Sequence, residues 1–241
     1  MILALASGKG GTGVTSLAIA LGASLVELGI DTTLVDVNLR VPNVGLHLGT
    51  SRVPVGTHEL LRHPERVSES VHHHPPSGLK IVPGNIGAAT KNVRHHDLLT
   101  LPKIAPFLST LVLLDCASGV HQETLASMAV SDGVIAVTTP ELSAVISTLK
   151  LIKHAKELGT PVHGVIINQT GRKHSLSTEN VRALIGVPLI GEIPYDESVA
   201  EAQTIKHPFT YSHPDSPASL AVKKVAETIY GTHVRPTPNA P

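Results

Sequence analysis

Between Ser7 and Ser16 the chain reads Ser-Gly-Lys-Gly-Gly-Thr-Gly-Val-Thr-Ser, directly behind the apolar run Ile2-Leu3-Ala4-Leu5-Ala6. Glycines at 8, 10, 11 and 13 let backbone N–H groups turn inward with no Cβ in the way. A helix opening behind them adds its unsatisfied N-terminal donors and the positive end of its dipole. That chemistry suits an anion, and the order strand, glycine turn, helix suits a phosphate chain. Two motifs fit. Read as G-x-x-x-x-G-K-[ST], a phosphate loop runs from Gly8 to Thr15 with every fixed residue except the lysine, whose place Val14 takes. Read as G-x-G-x-x-G, a dinucleotide fingerprint uses Gly8, Gly10 and Gly13, with Asp36 about twenty residues on to receive a ribose. Lys9 inside the turn, Thr15 placed to reach a magnesium ion, and acidic strand ends later in the chain favour the phosphate loop.

The later acids follow apolar runs. Thr110-Leu111-Val112-Leu113-Leu114 ends on Asp115, the Walker B pattern, and Gly119 follows at D-x-x-x-G spacing. Asp36 ends the run Thr32-Thr33-Leu34-Val35 at the strand edge where ligands bind in open α/β sheets. Asn168 ends Val162–Ile167 and carries the donor and acceptor pair that an adenine edge needs; a plain capping or turn role fits it as well. His72-His73-His74 cannot all face one metal from a regular strand or helix, and Pro75 and Pro76 beside them point to a surface loop. His95-His96 reads in the same way.

Lys9-Gly10-Gly11-Thr12-Gly13-x-Thr15 resembles the deviant Walker A loop of the MinD/ParA family of ATPases. The resemblance implies that Gly8 to Ser16 hold the phosphates and that Lys9 is the lysine that reaches the partner's nucleotide across a dimer. The ordinary loop lysine of that family is missing at Val14. Asp36 to Val44 resembles switch I, and Asp115 to Gly119 resembles switch II, in which the acid holds a magnesium-bound water and the glycine senses the γ-phosphate. Asn38 stands where the family's water-orienting acid is expected; an amide can hold a water but is a poor proton acceptor, so hydrolysis should be slowed. The same residue also reads as a turn former after a strand. Asn168 matches the family's adenine contact, Gly191 to Asp196, with Pro194, its base-binding loop, and His213 to Leu220 the opening of its last helix.

These residues need a frame. With 241 residues the chain is long enough for one large α/β core. Apolar residues at helical spacing from Thr15 to Leu28, then short β-rich runs at 32–36, 79–84, 110–115, 133–140 and 162–168, alternate strand with helix. A doubly wound, mostly parallel sheet flanked by helices follows. Thr57–Leu61, Leu98–Leu108, with Pro102 and Pro106 inside, and Glu141–Glu157 read as helices. Ser216 should cap a last helix with Pro217 at its first position and Leu220, Val222, Val225, Ala226 and Ile229 on its apolar face. Residues 1–230 form one nucleotide-binding domain in this reading, and 231–241 a loose, proline-rich tail.

Zero formal charge with 16% charged residues gives no electrostatic case for nucleic acid. The single cysteine, Cys116, reads as a small buried residue; it excludes an intramolecular disulfide and points to a reducing cytoplasm. No membrane-targeting helix is visible, and no apolar run is long enough to span a bilayer. The expectation is an ATP- and Mg2+-dependent switch that dimerises on nucleotide and regulates a protein partner, as in cell division, with Thr15 and Asp115 at the metal, Lys9 and Asn38 at the chemistry, and slow or lost hydrolysis. A pseudo-ATPase scaffold is the alternative; a metal-insertion ATPase and a dinucleotide oxidoreductase rank below it.

Overall fold

A computed structural model describes residues 1–86 and 94–234. Its strands are β1 (Ile2–Ala6), β2 (Thr32–Asp36), β3 (His72–His74), β4 (Leu79–Val82), β5 (Leu111–Asp115), β6 (Gly133–Thr138), β7 (Val162–Thr170) and β8 (Leu189–Pro194). The α-helices are α1 (Val14–Glu27), α2 (Val44–His47), α3 (Thr57–Arg62), α4 (Val67–Ser70), α5 (Leu101–Leu108) and α6 (Gln122–Ala129). They continue with α7 (Leu142–Glu157), α8 (Thr178–Ile185), α9 (Ser198–Thr204), α10 (Phe209–Ser212) and α11 (Pro217–Ile229). The described residues build one eight-stranded sheet in the order β3-β4-β2-β5-β1-β6-β7-β8, parallel except for β3, which runs antiparallel to β4. Doubly wound, it matches the architecture expected from the alternating pattern.

Both faces of the central strands are buried, which is why they read as continuous apolar runs. Side chains alternate along β1: Ile2, Ala4 and Ala6 join the core under α5, α6, α7 and α8, while Leu3 and Leu5 join the core under α1, α10 and α11. Gly191 lets α11 close on β8, since a Cβ there would lie 2.4 Å from Val225 Cγ2.

The order of strands decides between the two loop motifs. In a dinucleotide-binding sheet β2 lies next to β1. Here β5 lies between them, with Asp115 in register with Leu5 on one side and with Asp36 on the other. The acid at the end of β5 is thus delivered to the loop that follows β1.

Several expectations need correction. His72-His73-His74 is an edge strand rather than a loop: pairing with β4 satisfies its backbone, and the prolines fall in the turn behind it. His74 is buried and His73 exposed, as a strand's alternation requires. His95 and His96 open a 3₁₀ helix, His95–Thr100, which leads into α5. Gly191–Pro194 completes strand β8, so only Tyr195 and Asp196 of the expected base-binding loop are loop. Helices α6, α8, α9 and α10 were not anticipated from the sequence. On α11 Leu220 is exposed, and Ala218 and Ser219 are buried beside Val222, Val225, Ala226 and Ile229. The chain continues beyond α11 as a π-helical turn, Tyr230–Val234. The remainder of the expected loose tail, 235–241, lies outside the described residues. Among those residues no helix is long and apolar enough to cross a membrane.

Ser216 caps α11 as expected, its hydroxyl accepting from Ser219 N at 3.2 Å, with Pro217 at the first turn. Ser216→Ala should lower unfolding free energy by about 1 kcal/mol in urea titration; an unchanged midpoint would show that the cap contributes nothing.

Candidate functional site

The loop leaves β1 through Ser7, whose buried hydroxyl donates to Lys9 O at 3.0 Å. Gly8 follows against the backbone of α7; a Cβ there would lie 2.1 Å from Ser147 O, so the glycine at the first motif position serves helix contact. Gly11 and Gly13 adopt φ +82° and +83°, the left-handed conformation that glycine takes without strain. Thr12 is buried, with its hydroxyl 3.4 Å from Lys9 O, and Gly10 lies near Ser118. Val14 starts α1 and is buried in the apolar core, where Leu3, Leu5 and Leu17 also lie. The valine leaves the loop with no side-chain cation at this position.

One turn into the site the polar groups converge. Thr15 Oγ1 donates to Asp115 Oδ2 at 2.8 Å. Asp115 Oδ1 is buried and has no hydrogen-bond partner among the described residues. Asp36, fully buried beside it, accepts from Asn38 N at 3.2 Å, Asn43 N at 2.9 Å and Val44 N at 2.9 Å. Burial pushes the Asp36 carboxyl up to about 7 against these hydrogen bonds. Burial, then the neighbouring Asp36, holds Asp115 well above the usual carboxylate range. With its oxygens engaged by backbone, Asp36 is not available to a ribose. Cys116, behind Asp115, is buried, and its thiol is pushed up by that burial.

Lys9 Nζ is held within the same chain, donating to Glu141 Oε2 at 3.0 Å and Ser143 Oγ at 2.9 Å where α7 begins. Asn38 Oδ1 accepts from Val41 N at 3.3 Å, the turn-forming role that its residue type allows. Gly119 has φ +92° and donates its N–H to Ser7 O at 2.8 Å, tying the segment after β5 to the loop's first residue. Behind Asn38, Leu39 is clamped from two sides: its N–H donates to Glu123 Oε1 of α6 at 2.5 Å, and its carbonyl lies 2.8 Å from the Nε2 of buried His58.

A cavity of about 360 Å³ opens beside the loop, bordered by Gly11, Gly13 and Ser16 on one side and by Asn168, Pro194 and Tyr195 on the other. Asn168 Nδ2 donates to Thr12 O at 2.8 Å. Gln203 donates to Ser16 Oγ at 2.8 Å, and the Arg172 guanidinium lies 4.2 Å from the centre of the Tyr195 ring. Asp196 borders the cavity, yet its carboxylate accepts from Ser198 N at 3.0 Å and Ala218 N at 3.1 Å. Its partial burial opposes ionisation, but hydrogen bonds from Ser198 and Ala218 prevail and hold the carboxyl below its ordinary value. No three His, Cys, Asp or Glu side chains among the described residues form a metal-binding group, the histidine runs included.

The model of the CobQ/CobB/MinD/ParA nucleotide binding domain matches residues 3–209, the span that carries the loop, both acids and the cavity. The chain belongs to this family. An uncharacterised ATP-binding protein of Methanocaldococcus jannaschii is 29% identical over 231 residues, covering 95% of this chain and 87% of that one. Among solved structures, the septum site-determining protein MinD of Pyrococcus horikoshii in complex with Mg-ADP superposes with TM-score 0.89 at 27% identity, covering 95% of each chain. The cell division ATPase MinD of Pyrococcus furiosus gives TM-score 0.88 at 26% identity, covering 95% of this chain and 98% of that one.

Within this MinD/ParA-type chain, the structure brings Gly8–Ser16, Asp36, Asp115, Gly119, Asn168, Pro194 and Asp196 to one end of the sheet. Tyr195, within the expected base-binding segment, borders the cavity, whereas sequence reading passed over Glu141 and Ser143 as the anchors of Lys9, and Gln169, Arg172 and Gln203, which border the cavity. None of these stands in a motif. The single usable signal was the adjacent amides Asn168-Gln169 at a strand end.

The folded state keeps the Asp36 proton to about pH 7, whereas the free carboxyl loses it near 3.8. Between those values the folded state binds more protons, so stability of the nucleotide-free protein falls as pH rises, by at most ~1.4 kcal/mol per pH unit from this group. The stability difference between wild type and Asp36→Asn, measured by urea unfolding from about pH 4 to about pH 7, should carry that slope. A pH-independent difference would contradict it.

Proposed function

We propose that this chain is an ATP-binding switch in which Mg-ATP sits between two copies, hydrolysis is slow or lost, and nucleotide state governs a protein partner. The observation that carries it is the junction of Thr15, Asp115 and Asp36 at the mouth of the glycine loop, with the cavity adjoining. A hydroxyl beside a buried carboxylate with one oxygen unpartnered is an oxygen donor set suited to a hydrated Mg2+ ion. The ion would supply positive charge against the phosphates. Thr15 would hold it directly, and Asp115 through a water.

Gly10 to Ser16 would then surround the phosphates with backbone donors, and the cavity would take the base between the loop and Pro194. Asn168 Nδ2 is engaged by Thr12 O, which leaves its Oδ1 as the acceptor for an adenine amino group. Gly119 N–H, bonded to Ser7 O, would have to exchange that bond for a γ-phosphate oxygen, which makes the segment after β5 responsive to nucleotide state. The relatives support this reading, one being an ATP-binding protein and one a MinD holding Mg-ADP.

Two observations favour weak turnover. Val14 is buried in hydrocarbon where a phosphate-binding lysine would begin, and Asn38 spends its oxygen on a turn. A charge-assisted hydrogen bond contributes roughly 1.5–3 kcal/mol, or about one to two decades of affinity. Phosphoryl transfer depends on positioning and charge stabilisation, so these two changes weaken turnover more than binding. The same observations support the second reading, a scaffold that no longer responds to nucleotide.

Calorimetric titration with Mg-ATP and Mg-ADP separates the two. The switch requires that wild type binds ATP, that Val14→Lys tightens binding by about ten- to a hundredfold, and that Lys9→Ala weakens ATP-dependent dimerisation. No heat from wild type at millimolar nucleotide, with binding restored in Val14→Lys, would establish the scaffold instead.

A further inference from the structure

Strand β7 ends irregularly. Its pairing with β8 slips between Asn168 and Thr170, and Gln169, the residue between them, has φ +60°. Glutamine seldom occupies this left-handed region, and such backbones persist where their surroundings fix them, often at functional sites. The phosphate loop is what surrounds this one. Gln169 Nε2 donates to Gly11 O at 3.2 Å, and Asn168 Nδ2 donates to Thr12 O at 2.8 Å. Two successive side-chain amides thus hold two successive loop carbonyls.

A planar trans peptide points its N–H opposite to its C=O. Anchoring the Gly11 and Thr12 carbonyls toward β7 therefore turns the N–H groups of Thr12 and Gly13 to the other side of the loop. The positive φ values of Gly11 and Gly13 complete that arrangement, and neighbouring N–H groups turned to one side make an anion-binding concavity. Without a lysine at position 14, the loop depends on these backbone donors more heavily than a complete phosphate loop does.

We propose that Gln169 is a positioning residue for the phosphate loop: its amide, paired with that of Asn168, fixes the loop carbonyls so that Thr12 and Gly13 present N–H groups to a nucleoside di- or triphosphate. The role rests on the nucleotide-binding reading above. Gln169 acts on the β-phosphate through the loop backbone, and its presence at the cavity wall gives the rival role, simple contact with the base. Base contact affects every adenine nucleotide alike. Loop positioning affects those that reach the loop with a β-phosphate.

The test measures Mg-ADP and AMP affinity by calorimetry for wild type, Gln169→Glu and Gln169→Gly, and amide hydrogen exchange at Thr12 and Gly13 in the ligand-free proteins. Gln169→Glu keeps the size and removes the donor; Gln169→Gly relieves the left-handed backbone and removes the side chain. Both variants should bind Mg-ADP about fivefold more weakly, keep wild-type AMP affinity, and exchange the Thr12 and Gly13 amides faster. The glycine variant should melt no lower than wild type, which separates loop positioning from misfolding. Equal loss of ADP and AMP affinity, or unchanged exchange at the two amides, would overturn the proposal. If wild type binds neither nucleotide, the nucleotide reading fails, and faster or unchanged exchange still decides whether Gln169 holds the loop.

Discussion

Two carboxyl groups side by side in the sheet set the terms for everything around them. Asp36 and Asp115 are register partners on β2 and β5, both fully buried, at the end of the sheet where the glycine loop emerges. Two like charges so placed cannot both ionise without compensation. Backbone N–H groups from Asn38, Asn43 and Val44 offset part of the cost at Asp36, and Thr15 offsets part at Asp115. What remains uncompensated favours the protonated forms, and both carboxyls stand above the usual carboxylate range.

The sheet exists to make that placement. Because β5 enters between β1 and β2, the acid at its end lies within reach of Thr15, the first hydroxyl of α1. Alternation along β1 supplies both cores at once, with Ile2, Ala4 and Ala6 on one face and Leu3 and Leu5 on the other. Gly8, wedged on the carbonyl of Ser147, then fixes the loop to α7 before it turns toward the site. Rigid elements thus deliver the loop, and side chains from β7 complete it.

How much of this could be read in advance followed from range. Strands β1, β5 and β6 were legible because burial on both faces leaves a nearly unbroken apolar run, β2 because its residues are β-rich, and the loop and α11 because glycine spacing and a Ser-Pro start are local signals. The edge strand His72–His74 was missed because its stability comes from a partner strand rather than from its own residue types. Lys9's anchors lie 132 and 134 positions away, and Gln169 meets Gly11 across 158. No spacing rule spans such distances. Asn38 carried two readings in the sequence, and the turn with Val41 is the one seen in this structure.

The clamp on Leu39 has a mechanical meaning. The chain just after β2 is gripped by Glu123 of α6 on its N–H and by His58 of α3 on its carbonyl, and α6 itself begins three residues after Gly119. The two acid-bearing strands are therefore geared to each other outside the sheet as well as within it. Glu123 thus ties the segment behind Asp115 to the segment behind Asp36 by a direct hydrogen bond, and the two acids share one support on each side of the sheet's end.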